Sequence, residues 1–531
     1  MTLIAKWVLA AVVYSQVAFG QGEQPPAFDL ADVHKSPHVT NPYMRGGILR
    51  GVRYDVRQAS MVDLIGAAYG VEAEKVQGGP SWLDIERFDI AAKAPAGTPP
   101  ETVKLMLRTL LADRFKLKIT QESKALPVFA LSQGKGKPKL KESEGSSNSG
   151  CQAVPQAPHP GVVPYNVVSC HNRTMEQLAQ DLRNFANGYL TNPVLDQTGL
   201  KGGWDFELKW TSRGALAAAG DNGISIFDAV EKQLGLKIQT TKLPVPVITV
   251  ESVNQTPTEN PVGVTTSLPA PPPAEFEVAT IRPSRPDAVG QMGKLEHGRL
   301  DVQNLPLTRL VLIAWDLNGE ELTAGMPKFP DSVRYDITAK APPPPPGTEV
   351  DFEDLRLMLR ALLADRFNLK THQEERQVEG YVLSGNKPKM VKADPSNRTG
   401  CKEGPGPDGK DPRIANPVLS RLISCQNMTM AQFADQLPNW AGGYARTTVL
   451  DTTGLTDAYD FTLSFSAAGL LRGGLPGQPP PASGTDTPSE PNGAVSLPDA
   501  ITRQLGLKLE LKKRPMQVLV IDHLDEKPTE N

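Results

Sequence analysis

The sequence has few of the residues that carry chemistry. Its 531 residues include four cysteines, seven histidines and only 6% aromatics. It contains no GxSxG elbow, no HExxH helix and no CxxC pair. Those absences exclude the most recognisable serine hydrolases, zinc peptidases and dithiol redox proteins. Gly78-Gly79-Pro80 lacks the spacing of a phosphate-binding loop and reads as a turn. The net charge is −3 and no dense basic stripe occurs, so the footprint of a nucleic-acid binder is missing. After the N-terminal segment no apolar run approaches the ~18 residues that a membrane-crossing helix needs.

Several positive features stand against these absences. Lys6 precedes the apolar run Trp7 to Tyr14, and Ala18-Phe19-Gly20 offers small residues at a cleavage site. Residues 1–20 therefore read as a secretory signal, and the chain as exported to the periplasm or beyond. The apolar fraction is 39%, with 49 prolines and 46 glycines concentrated in discrete stretches. That pattern fits folded bodies with proline-rich connectors. Export permits disulfides, and the cysteines fall as one pair in each half: Cys151 with Cys170, and Cys401 with Cys425. In the loop-entropy account a bridge over the first interval stabilises by ~3 kcal/mol.

The chain repeats itself. Leu105 to Lys118 reappears as Leu357 to Lys370, Val194 to Leu200 as Val449 to Leu455, and Pro257 to Asn260 as Pro528 to Asn531. The chain reads as a module over 27–260, a proline-rich linker over 261–273 and a second module over 274–531. The linker composition predicts two separate bodies on a short spacer. A fainter repeat lies within each module: Asp301 to Leu307 resembles Ser424 to Met430, and Arg334 to Thr338 resembles Ala458 to Thr462. Each unit reads strand, helix, strand, strand, helix, hairpin. Helices packed on antiparallel or mixed sheets give an α+β class. Thr174 with Gln177 and Thr429 with Gln432 fit capping boxes. Met175, Leu178, Ala179 and Leu182 then form one buried stripe.

The histidines do not recur between modules: His34 aligns with Arg282, and His171 with Gln426. A duplicated catalytic site would be expected to duplicate its base. The carboxylates recur better. Asp89, Asp205, Asp336 and Asp460 each follow an aromatic residue at a strand start, and Asp113-Arg114 and Asp365-Arg366 each end a helix. Paired carboxylates suit acid–base work. The structural reading weighs more: a packing aromatic beside an exposed Asp, and a solvated Asp-Arg step. No residue is assigned as catalytic, metal-binding or cofactor-binding, and no cofactor is implied.

The order of motifs resembles a known group. It runs from Phe276-Glu277-Val278-Ala279-Thr280-Ile281-Arg282-Pro283-Ser284 through the Leu-Met-Leu-Arg helix, the Cys pair and Val-Leu-Asp-x-Thr-Gly-Leu to Asn531, and in weaker form from Phe28 to Asn260. It is similar to the large paralogous family of exported acidobacterial proteins built on a domain of unknown function. The resemblance implies export without an established activity. Some relatives are attached to membrane metallopeptidase sensors, which implies a sensory or binding ectodomain. The expected function is a non-catalytic binding or interaction module. Its partner would be an envelope or extracellular protein or a small ligand. The alternatives are a hydrolase using acidic residues of one module, a sensory ectodomain-like regulator and a purely structural envelope component.

Overall fold

The computed structural model describes residues 25–37, 39, 42–143, 149–156, 163, 165–271, 274–288, 290–296, 298–317, 319–330, 333–343, 350, 352–385, 387–406, 408–416, 418–468, 471 and 493–529. The candidate signal 1–20 and the proline run 476–491 lie outside them. Among the described residues, helices and six four-stranded sheets are ordered along the chain, three sheets in each half.

In the first half one antiparallel sheet has the order Leu30–Lys35, Arg87–Lys93, Arg53–Ser60, Arg45–Arg50. The helices Met61–Tyr69 and Pro100–Phe115 share its core, which includes Tyr54, Ile65, Phe88, Leu107 and Phe115. A second sheet has the order Lys141–Glu142, Trp204–Trp210, Asn166–Arg173, Gly150–Ala153. The helix Met175–Phe185 starts in a formed Thr174–Gln177 capping box and buries Met175, Leu178, Ala179 and Leu182 against this sheet. The second half repeats both assemblies. Its outer sheets are built on Arg334–Lys340 and Ala458–Phe465, and the Thr429–Gln432 box opens the helix Met430–Trp440.

Between the two outer sheets of each half runs a long ribbon. Lys118–Gln133 pairs antiparallel with Leu236–Ser252, and Lys370–Ser384 with Lys508–His523. A strand of about sixteen residues reaches about 50 Å, enough to pass from one core into the next. Ile119 packs on the first core, whereas Phe129 and Leu131, further along the same strand, lie in the second. The partner strand runs the other way: Leu236 and Ile238 fill the second core, and Ile248 and Val250 the first. Leu369 with Leu383, and Leu509 with Ile521, repeat the exchange in the second half. Short parallel strands cap each ribbon at opposite ends, Val76–Gly78 on one long strand and Val194–Asp196 on the other.

The closing hairpin of each unit is instead one long strand that completes the neighbouring unit. The alternation in Val518 to Asp522 marked a strand but carried no signal of its length or its partner. Nor are the halves separate bodies. Part of the linker forms the helical turn Val264–Ser267, with Val264 buried, and Pro269 O accepts from Arg53. Arginine–carboxylate pairs then join the halves. Arg398 grips Asp84 through both carboxylate oxygens (2.8 and 2.6 Å), and the Thr399 N–H donates to Ser81 O (3.0 Å). Arg213 meets Asp411 at 3.2 Å, Arg50 pairs with Asp354, and Arg45 lies 3.5 Å from Asp316.

Candidate functional site

The four recurrent aspartates occupy one structural position, repeated four times. In each outer sheet the strand that leads into a helix breaks register just before the helix: between Val56 and Ala59, Cys170 and Arg173, Val302 and Leu305, and Cys425 and Met428. One residue in each break is left-handed: Gln58 (φ 54°), Asn172 (φ 47°), Asn304 (φ 56°) and Asn427 (φ 48°). Asn tolerates that conformation better than other residues with a Cβ. The turned-out backbone N–H loses its ladder partner and needs another. The aspartate on the neighbouring strand supplies it. Gln58 N–H donates to Asp89 Oδ1 (2.8 Å), Asn172 to Asp205 (2.8 Å), Asn304 to Asp336 (3.0 Å) and Asn427 to Asp460 (2.7 Å). The preceding aromatics Phe88, Tyr335 and Tyr459 are buried, and Trp204 is half-buried.

These contacts perturb titration at Asp205 and Asp336. The Asn172 amide bond holds the Asp205 carboxyl below its ordinary range, with Ser143 and the His171 charge adding to it. Burial pushes Asp336 up, but Ser284 (2.7 Å), the Asn304 amide and Arg282 together hold it below. The four carboxylates sit in four different sheets, so none of the four shares a sheet with another.

Asp89 has the richest surroundings. Ser36 Oγ donates to Asp89 Oδ1 (2.5 Å), and His34 lies 3.8 Å from both Asp32 and Asp89. The serine hydroxyl is thus engaged by a carboxylate, whereas a nucleophile would be engaged by an imidazole. Beside it lies a cleft of about 330 Å³ lined by His34, Lys35, Glu86 and the strap Gln255 to Asn260. Much of its polarity is already satisfied: Lys35 pairs with Glu86, and the Asn260 side chain accepts from Val33 N–H (2.9 Å) and donates to Val33 O (3.1 Å). Asn260 therefore acts as a one-residue partner for the edge strand Leu30–Lys35.

The Asp-Arg steps are not solvated pairs. Arg114 binds Thr258 Oγ1 (3.0 Å), Thr258 O (2.6 Å) and Asn260 Oδ1 (2.5 Å), tying the strap down. Arg366 repeats the clamp on Thr529 Oγ1 (3.1 Å) and Thr529 O (2.7 Å). The sequence signal was present, since the Asp-Arg step and the Pro-Thr-Glu-Asn motif recur together. One further motif escaped sequence reading. Gly404-Pro405-Gly406-Pro407-Asp408-Gly409-Lys410 carries the glycine spacing of a phosphate loop. It follows the edge strand Gly400–Glu403 without opening a helix, and Lys410 is exposed and lies 3.6 Å from Asp408. With no helix opening after it among the described residues, the motif lacks the helix-start amides of a phosphate cradle.

Both cysteine pairs are joined as disulfides, Cys151–Cys170 and Cys401–Cys425, each pinning a four-residue edge strand to its neighbour. Among the described residues no group of three histidine, cysteine or acidic side chains is placed to hold a metal ion, and no helix is long and apolar enough to cross a membrane.

The class this defines is a duplicated α+β protein with disulfide-pinned edges, whose recurrent polar residues hold the backbone in place. The chain belongs to the family described as "Protein of unknown function (DUF3738)", whose model matches residues 62–253 and again 308–524. No curated protein and no solved structure matches it.

Proposed function

We propose that this chain is an exported, non-catalytic binding or interaction protein of the cell envelope or extracellular space. In this reading the signal is residues 1–20, and the modules span 27–260 and 274–531, joined by 261–273. The observation that carries it is the engagement of all four recurrent aspartates by backbone amides of their own sheets. Duplication kept the groups that fix the backbone, while the titratable His34 gave way to Arg282 in the second copy. Two disulfides agree with an oxidising compartment.

The test has two arms. Cell fractionation with N-terminal sequencing should find the protein outside the cytoplasm and beginning near Gln21; a cytoplasmic chain that keeps Met1 refutes export. The full-length chain, immobilised, should retain a specific envelope or extracellular component through washing. A hydrolase is indicated instead if Asp336→Asn and Asp460→Asn fold normally but lose turnover in a substrate screen.

A further inference from the structure

We infer that the Cys401–Cys425 disulfide is a redox-sensitive latch on the joint that Arg398, Thr399 and Asp411 make with the first half. The inference goes beyond the binding role and does not depend on it.

The geometry is asymmetric between the two copies. Cys401 sits in the edge strand Gly400–Glu403, which pairs with the strand Arg421–Thr429 over only four residues. An edge strand this short has little stability of its own. One of the joints with the first half lies in and just before this segment, apart from the Arg45–Asp316 and Arg50–Asp354 pairs. Arg398, three positions before Cys401, clasps Asp84 and donates to Val76 O (2.5 Å). The buried Thr399 binds Ser81 O, and Asp411, inside the disulfide-closed loop, takes Arg213. Arg398 and Thr399 just before the loop and Asp411 within it thus form one joint between the halves, and the disulfide is the covalent tie that fixes this segment against the sheet.

The first half provides an internal control. Cys151–Cys170 holds the corresponding strand in the same register. Yet Ser149, the counterpart of Thr399, bonds within its own sheet, to Asn172 O (2.8 Å). One disulfide supports a contact between halves, and its duplicate supports a local one.

Cys425 is buried and Cys401 half-buried, so a small dithiol would attack through the Cys401 side. In the exchange the dithiol gives up two electrons and two protons and closes its own disulfide, leaving two cysteine thiols. The freed strand then samples many conformations, and Arg398 and Asp411 leave their partners.

Hydrogen exchange with mass spectrometry on the full chain, oxidised and after treatment with a dithiol, tests this. Exchange in peptides over 76–85 and 395–404 should accelerate by about tenfold or more, as for a local opening. The core strand Ala458–Phe465 should stay protected. Arg398→Ala with the disulfide intact should reproduce the acceleration over 76–85. The double substitution Cys151→Ser with Cys170→Ser should leave 76–85 unchanged. Equal protection of 76–85 in oxidised and reduced protein overturns the latch. So does loss of protection throughout the second half on reduction, because the disulfide would then support the fold as a whole.

Discussion

Removing the carboxylate of Asp460 separates a backbone-supporting role from a chemical one. Asp460 Oδ1 accepts the Asn427 N–H at 2.7 Å, and Asn427 is only 5% exposed. In Asp460→Ala this amide has no acceptor, and Asn427 is already in a left-handed conformation (φ 48°) that the sheet must enforce. A hydrogen bond to a charged group contributes about 1.5–3 kcal/mol, and a buried donor left unpaired costs about 1–3 kcal/mol. Because Asp460 is itself half-buried, solvent screening argues for the lower part of that range, about 2 kcal/mol. The Asn427 side chain also holds Asn397 O (2.6 Å), so a disturbed bulge reaches the loop that carries Arg398. For a body of this size about 2 kcal/mol corresponds to a Tm lower by about 4–8 °C. Urea denaturation followed by circular dichroism should show a lower midpoint with an unchanged slope. Asp460→Asn keeps an acceptor oxygen and should lose about half as much. An Asp460→Ala variant as stable as the parent chain would refute the backbone-supporting role.

Three further outcomes follow from the same contacts. Asp205 and Asp336 titrate below the ordinary range in the folded chain. Their stabilisation is therefore complete above the unfolded value near pH 4 and lost as pH falls through the folded values. The urea midpoint should drop between pH 5 and pH 3, and less steeply in Asp336→Asn. Arg114→Ala releases the strap from Thr258 to Asn260 and should cost about 2 kcal/mol, with faster amide exchange at Val33; Arg114→Lys should restore little, because a lysine cannot make the forked contact. Gly235 has φ 68°, and a Cβ there would lie 2.9 Å from Lys137 O. Gly235→Ala should therefore destabilise the first half by more than the ~1 kcal/mol of left-handed strain alone, read as a lower Tm.

The sequence by itself determined what is local or duplicated. Capping boxes, helix stripes and strand alternation depend on residues within about four positions of one another, so Thr174–Gln177 and the stripe from Met175 to Leu182 were legible directly. The tandem copies and the pairing of cysteines within each half were legible because duplication writes the same positions twice. Recurrence also marked the four aspartates, but not their work. The Gln or Asn that each one supports lies about thirty residues earlier, and only the antiparallel register makes the two neighbours.

Tertiary structure alone decided the rest. That the long strands exchange ends between cores depends on where a strand of about 50 Å terminates, and periodicity is the same at either end. The docking of the halves had no sequence signature, because it rests on single arginines without a counterpart in the other copy. Arg398 and its neighbours become a joint only where folding brings Asp84, more than three hundred residues earlier, within hydrogen-bonding reach.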